Sequence, residues 1–212
     1  MKTLNLLTAL TLAGCAAPYI DVDDYLASKK LIVPDSHEFQ TCRAYGCRFI
    51  DTIHLSKSEW NAINKSFKPK PKSAASERKA IKTAIARFET ITGEQTGASN
   101  DRGGTFATTG HDQLDCVDES TNTATYLRLL QQRGLLRFHD IAAPTSRIGF
   151  LRWPHQTAVI IDLETNESFA VDSWFYDNGK PPEIVPLKQW KTGWKPPKDE
   201  TPQPPQNTQN EG

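Results

Sequence analysis

The sequence predicts an α+β fold, in which N-terminal helices pack on an antiparallel β meander. Two observations support this class. The three longer segments with helical periodicity lie before residue 134, whereas short apolar runs typical of strands dominate after it. The connections between these runs are too short for the crossovers that parallel strands require. Helices and antiparallel strands in separate parts of a chain are typical of α+β proteins.

Two helices are predicted between residues 56 and 93. The sequence SKSE matches a capping box, in which Ser56 and Glu59 bond each other's backbone N–H groups at the start of a short helix. A longer helix is predicted over 76–93, SERKAIKTAIARFETITG, because its apolar residues recur every three or four positions. Gly93 stands where a helix of this length would end.

A third helix is predicted within DQLDCVDESTNTATYLRLL, residues 112–130. Asp115 is a suitable N-cap, and Gly134 is suited to end the helix. Cys116 then begins a stripe of residues at helical spacing that faces inward, continued by Ser120, Thr123, Leu127 and Leu130.

Strand-like runs precede and follow these helices. The turn-rich segment 164–168 predicts that the last two runs form a hairpin. A short helix or a turn that carries two tryptophans is predicted over 186–194. The runs with strand-like composition are 48–55, 135–141, 147–153, 157–163 and 169–175.

The N-terminal segment MKTLNLLTALTLAGCAAP has the order of an export signal. A basic Lys2 precedes an apolar stretch that is too short to span a bilayer. LAGC then resembles the lipobox of bacterial lipoproteins, which implies diacylation of Cys15 and removal of residues 1–14. Ala16, rather than Asp, resembles the sorting pattern for the outer membrane, facing the periplasm. The alternative is an ordinary signal peptide cut near AGCAA.

The remaining chain is expected to form one domain with flexible ends. We expect a linker over 15–40 with one short element, a domain over 41–194 with its core in 76–194, and a disordered Pro- and Gln-rich tail over 195–212. The formal net charge is zero, from 25 basic and 25 acidic residues. No overall basic field is available to attract nucleic acid or anionic lipid, so the expected membrane contact is the lipid anchor.

The four cysteines fall into different classes. With Cys15 assigned to lipid, Cys42 and Cys47 in CRAYGC are close enough for a local disulfide in an oxidising compartment. That pairing leaves Cys116 as an odd thiol. A bridge from Cys116 to one of the other two is an alternative.

The residues after Cys116 offer partners for a nucleophilic thiol. A helix N-terminus supplies partial positive charge and free N–H groups, which favour a thiolate and can hold an oxyanion. His155 lies at the entrance to a β run and can act as the base, and Asp172 in FAVDSW can orient the imidazole. An unpaired carboxylate in so apolar a strand would be costly. The alternative for Cys116 is an inert buried cysteine.

Cysteine at a helix start, then histidine and aspartate on successive strands, resembles the transglutaminase-like superfamily within the papain-like architecture. The intervals of 39 and 17 residues are similar to those of compact bacterial members. The resemblance covers residues 76–194 and implies Cys116 as nucleophile, His155 as base and Asp172 as orienter. It implies a cysteine peptidase, an amidase or an acyl transferase that needs no bound cofactor, with a peptide or protein substrate in the cell envelope. The superfamily also has inactive members, so a non-catalytic binding module is the alternative.

Several features depart from a simple triad. A turn centred on residues 165–166 would place Asp172 opposite Val159, which makes Asp177 and Asn178 rival orienters. For the oxyanion, the candidates are the Gln113 side chain and the backbone N–H of Cys116.

The acidic residues beside the thiol are a further departure, because like charge disfavours a thiolate. They also permit a mixed metal site that would join His111, Asp112, Asp115 and Cys116 with His155, although the spacing matches no zinc motif. The acidic neighbours are Asp112, Asp115, Asp118 and Glu119.

Overall fold

A computed structural model describes residues 20–106, 110–148 and 154–197 of the chain. Its described part holds five helices and two antiparallel sheets, which confirms the α+β class. The helices are α1 (Val22–Ser28), α2 (Lys57–Lys65), α3 (Ala74–Thr96), α4 (Cys116–Gln132) and α5 (Leu187–Lys191). The strands are β1 (Phe39–Arg43), β2 (Phe49–Ile53), β3 (His139–Arg147), β4 (His155–Asp162), β5 (Ser168–Asp172) and β6 (Glu183–Pro186).

Both sheets pack against α4. Strands β1 and β2 form a hairpin, and β3, β4, β5 and β6 form a meander in which each strand is antiparallel to the next. Helix α4 contacts β1 of the hairpin as well as β3 and β4 of the meander. Most of α4 is therefore buried, including the predicted inward stripe from Cys116 to Leu130.

Helix α3 contributes the apolar face that its periodicity predicts. Ala80, Ile81, Ala84, Ile85 and Phe88 are all buried in the core. The Phe88 ring makes a T-shaped contact with Trp60 and is stacked on Tyr126 of α4 at a centroid distance of 4.7 Å. These contacts hold α2, α3 and α4 together.

Some predicted boundaries are wrong. Helix α3 continues to Thr96 and ends at Gly97, whose φ of 81° is the left-handed conformation that favours glycine. Gly93 lies inside the helix instead, where the Asn178 side chain approaches too closely to leave room for a Cβ. The predicted strand 135–141 begins only at His139, because the turn after α4 uses Gly134 and the residues that follow it.

The segment predicted as a linker contains more structure than expected. Helix α1 lies within it, with Val22 and Leu26 in the core, and β1 begins at Phe39. The Asp23 carboxylate also pairs with Arg128 of α4 at 2.8 Å. The packed part of the chain therefore begins near Val22, before residue 41.

Several predictions concern residues outside the described ranges. These are the signal peptide over 1–14, the lipidation of Cys15, the strand residues 149–153 and the tail beyond residue 197. Among the helices in the described ranges, none combines the length and the apolarity needed to cross a membrane.

Candidate active site

The N-terminus of α4 places Cys116 as the first helical residue. The Asp115 carboxylate accepts hydrogen bonds from the backbone N–H groups of Val117 and Asp118, each at 2.9 Å, so the predicted N-cap is present. Cys116 lies directly after this cap and is 7% exposed. Of the cysteines in the described ranges, it alone is a free thiol.

His155 and Asp172 lie on neighbouring strands and contact each other. His155 is the first residue of β4, and Asp172 is the last residue of β5. Their side chains meet with His155 Nε2 2.7 Å from Asp172 Oδ2, and both residues are buried. Because a carboxylate can only accept, Nε2 carries the proton of this hydrogen bond.

The turn between β4 and β5 explains why the simple register was wrong. Ala158 pairs with Val171, which brings Asp172 opposite Thr157 on the sheet face that also carries His155. The Asp162 carboxylate accepts hydrogen bonds from the N–H groups of Glu164 and Thr165 and so moves the turn one residue toward the N-terminus. As a result, Asp172 lies opposite Thr157 and not Val159, two residues closer to His155 along β4.

The rival orienters lie in another environment. Asp177 accepts a hydrogen bond from Gly103 N at 3.1 Å, and the Asn178 backbone N–H donates to Asp101 O at 3.0 Å. Both residues therefore fasten the 101–103 loop, and Asp172 occupies the position beside the imidazole.

The Cys116 thiol lies against the backbone on both sides of His155. Its sulfur is 4.0 Å from the carbonyl oxygen of Pro154. The backbone N–H of Gln156 also contacts the sulfur and lowers the pKa of the thiol. The other imidazole nitrogen of His155, Nδ1, is buried and has no hydrogen-bond partner among the described residues. The fold therefore brings Cys116, His155 and Asp172 together, with one ring nitrogen left available.

Trp190 is a member of the site that the sequence did not predict. Its indole Nε1 donates to Asp172 Oδ2 at 2.7 Å, the same oxygen that His155 contacts. Trp190 is fully buried on α5, where Arg147 donates hydrogen bonds to the carbonyl oxygens of Trp190 and Trp194. The sequence indicated two tryptophans near the end of the domain, but the approach of Trp190 to Asp172 depends on the path of β6 back across the sheet.

Aromatic side chains surround the imidazole on several sides. The centroid of the His155 ring lies 4.6 Å from that of Trp174 and 5.4 Å from those of Phe175 and Trp190. The ring is therefore packed among three aromatic side chains with one nitrogen bound to Asp172, which restricts its rotation.

The electrostatic environment favours the neutral thiol. The pKa of Cys116 is raised to about 11, chiefly by burial and also by the charges of Asp115 and Asp172, against the opposing effect of the N–H groups of Gln156 and of Cys116 itself. In the absence of substrate, the proton therefore stays on sulfur at neutral pH.

The predicted acidic neighbours of Cys116 include two buried groups. Burial raises the pKa of Asp118 to about 7 and that of Glu119 well above the ordinary range for a glutamate. Glu119 shares a hydrogen bond with Asp101, whose pKa burial raises to about 7. Protonation of these groups reduces the negative charge behind the thiol.

A disulfide-closed loop is attached to the first turn of α4. The Cys42 and Cys47 sulfurs are bonded, as the sequence predicted, and residues 44–47 all have positive φ values between 61° and 68°. This run of left-handed residues turns its N–H groups toward Asp118, which accepts from Tyr45 N at 2.7 Å and from Cys47 N at 2.6 Å. The loop therefore supports the helix end that carries the thiol.

The structure separates the two candidates for an oxyanion donor. The Gln113 amide accepts from Arg102 N at 3.2 Å and donates to Asn100 O at 3.0 Å, so both of its ends are already bonded. The N–H of Cys116 is outside the Asp115 cap, which takes the N–H groups of the two following residues. The backbone N–H of Cys116 is the better placed donor.

The mixed metal site suggested by the sequence is not assembled. In the described ranges, the three donors that come close enough to share a metal ion are Cys42, Cys47 and Asp118, and the two sulfurs are joined to each other. His139 is buried away from these residues, with Nδ1 2.9 Å from Glu77 Oε1 and Nε2 3.0 Å from Arg78. His139 lies beside Asp162, at the end of β4 that is far from His155.

Comparison of the chain with models of protein families, with curated proteins and with solved structures finds no match.

Proposed function

We propose that this chain is a cysteine hydrolase or acyl transferase that acts on amide or ester bonds through Cys116, His155 and Asp172. One observation carries the proposal. The Cys116 sulfur contacts the backbone on both sides of His155, and the imidazole is held by Asp172 through Nε2 and has a free Nδ1. A nucleophile, a base and an orienting group are the parts that covalent acyl transfer requires.

The proposed reaction has two steps. As the thiol attacks the carbonyl carbon of the substrate, a C–S bond forms and the proton passes to His155 Nδ1. The backbone N–H of Cys116 stabilises the oxyanion, and the C–N or C–O bond breaks as His155 returns the proton to the leaving group. In the second step, water or an amine attacks the thioester and gives its proton to His155, which reprotonates the sulfur as the C–S bond breaks.

The high pKa of Cys116 determines how the first step begins. A thiol with a pKa of about 11 does not form a stable ion pair with a histidine at neutral pH. Proton transfer to His155 must therefore accompany the attack on the carbonyl. Asp172 favours this transfer because it stabilises the imidazolium that forms.

The proposal extends to family and location. The order of the three residues supports membership of the transglutaminase-like superfamily in the papain-like architecture. The lipobox-like LAGC sequence supports a lipid anchor at Cys15 in the bacterial envelope, on the periplasmic face of the outer membrane. Candidate substrates are envelope proteins or peptidoglycan peptides, and nucleic acid is not expected as a partner.

Trapping of an acyl-enzyme tests the function. The purified chain is mixed with p-nitrophenyl acetate, and the reaction is quenched with acid. The protein is then digested, and the mass of the peptide that contains Cys116 is measured by mass spectrometry. We expect an acetyl group on that peptide in the wild type and none in Cys116→Ser or His155→Ala. Acetylation that is equal in wild type and His155→Ala would contradict the proposal. Because Cys15 and Cys116 fall in different proteolytic peptides, acetylation of Cys15 would not be counted as acetylation of Cys116.

A second candidate function is a non-catalytic binding module. The small exposure of Cys116 and the raised pKa of its thiol favour this alternative. It predicts no acyl-enzyme at any pH, although the fold and the contact between His155 and Asp172 are kept.

A further inference from the structure

A groove with a strongly basic lining lies at the opposite end of α4 from Cys116. Its walls are the C-terminal end of α2 with the segment after it, and the residues that follow α4. The cavity has a volume of about 990 Å³. Helix α4 rises about 1.5 Å per residue, so its 17 residues place the groove roughly 25 Å from the thiol. The groove is therefore separate from the candidate active site.

Five cations line this groove. Lys65, Lys68 and Lys70 come from one wall, and Arg133 and Arg137 come from the other. All five are exposed, and in the described ranges none of them forms an ion pair. A concave site lined by unpaired cations has a positive potential that is stronger than that of scattered surface lysines.

The zero net charge of the chain conceals this local excess. From residue 60 to residue 88 the chain contains eight lysines and arginines but a single acidic residue, Glu77. Glu77 is buried and engaged with His139, so its charge does not face the groove. The one carboxylate in the lining is Asp35, which accepts hydrogen bonds from the backbone of His37 and Glu38.

The remaining lining indicates what kind of polyanion would fit. Phe67 and Pro71 are buried and provide an apolar floor, while Asn61 and Asn64 offer amide groups that can pair with a peptide backbone. A flat lipid surface could not reach the floor of a concave site. Single-stranded nucleic acid is commonly bound by bases stacking on accessible aromatic rings, but Phe67 is only 5% exposed.

We propose that this groove binds an acidic segment of a polypeptide. Carboxylates of the partner would pair with the lysines and arginines of the two walls, and its backbone would bond the amides of α2. The ligand class is thus a peptide rich in Asp and Glu, bound in an extended form. The groove would hold a partner protein or an acidic part of a substrate away from the thiol.

Fluorescence anisotropy with a short fluorescein-labelled glutamate-rich peptide tests this proposal on the full chain. We expect saturable binding that weakens as salt is added, and no binding of the same peptide with Gln in place of Glu. Reversal of two charges on one wall, in Lys68→Glu/Lys70→Glu, should weaken binding by at least about tenfold. Neutralisation across both walls, in Lys65→Gln/Arg137→Gln, should also weaken it.

The control makes the same change of charge elsewhere. Lys57 and Lys180 are exposed and lie outside the groove, so Lys57→Glu/Lys180→Glu should bind within about twofold of the wild type. Equal loss in this control and in the groove variants would overturn the proposal, because it would show a response to net charge alone. Tighter binding to phosphatidylglycerol vesicles or to a single-stranded oligonucleotide, lost in the same groove variants, would also overturn it. Circular dichroism melting of every variant shows whether the fold is kept.

Discussion

Trp190 and Asp172 are joined by a hydrogen bond of 2.7 Å, from the indole Nε1 to Oδ2, the oxygen that also contacts His155 Nε2. The second carboxylate oxygen, Oδ1, is buried and has no hydrogen-bond partner among the described residues. Asp172 is therefore held by two hydrogen bonds, from His155 and from Trp190, that both end on Oδ2. Since Asp172 in turn contacts His155 Nε2, α5 takes part in positioning the imidazole.

The first prediction concerns this contact. Trp190→Phe keeps an aromatic ring but removes the donor to Asp172, and a hydrogen bond to a charged group contributes roughly 1.5–3 kcal/mol. We expect the rate of Cys116 alkylation at neutral pH to fall by about tenfold. Trp194→Phe is the matched control, because Trp194 packs on Phe175 and does not bond Asp172. A similar rate in the two variants would show that the indole N–H has no role in positioning.

The second prediction concerns the disulfide. Closing so short a loop contributes about 2 kcal/mol in the chain-entropy model. We expect Cys42→Ser/Cys47→Ser to lose stability of about this size in urea unfolding, and the reduced wild type to lose a similar amount. Because the loop donates N–H groups to Asp118, Cys116 should also become more accessible to alkylation. An unchanged unfolding midpoint in the double variant would contradict this role for the loop.

The third prediction concerns how stability changes with pH through three buried carboxyl groups, those of Glu89, Asp101 and Glu119. Burial raises the pKa of Glu89 to about 8, that of Asp101 to about 7, and that of Glu119 well above its ordinary range. In the unfolded chain these groups titrate near pH ~4. Between these pH values the folded state binds more protons than the unfolded state, so the free energy of unfolding decreases as pH rises.

Urea unfolding at about pH 5 and about pH 8 measures this effect. We expect higher stability at the lower pH in the wild type and a smaller difference in Glu119→Gln, which cannot ionise. Glu77 and Asp162 have a lowered pKa, so their contributions change only below this window. Stability that is constant or increases toward pH 8 would contradict the assignment of these groups.

The sequence predicted the local structure around Cys116 well. Asp115 and Gly134 bound α4 as expected, because both act through contacts within one turn of the helix. The Ser56 and Glu59 capping box is present for the same reason. The inward stripe that begins at Cys116 is also confirmed, since helical spacing alone determines which residues share a face.

The parts that depend on distant contacts were not predictable. The register of β5 depends on the Asp162 side chain, whose bonds to Glu164 and Thr165 move the turn. The contribution of Trp190 depends on where α5 packs, and the basic groove depends on two helix ends that meet only in the folded chain. Neither hydrophobic periodicity nor net charge contains this information.

The most direct test of the central claim is the rate of Cys116 alkylation by iodoacetamide at about pH 7, in wild type and in His155→Ala, with the label located by peptide mapping. With a pKa of about 11, only about one thiol in ten thousand is ionised at this pH without help from a base. If His155 accepts the proton as the sulfur reacts, the wild type should react at least about tenfold faster than the variant. Equal rates would show that His155 does not activate Cys116, and the catalytic account would be wrong.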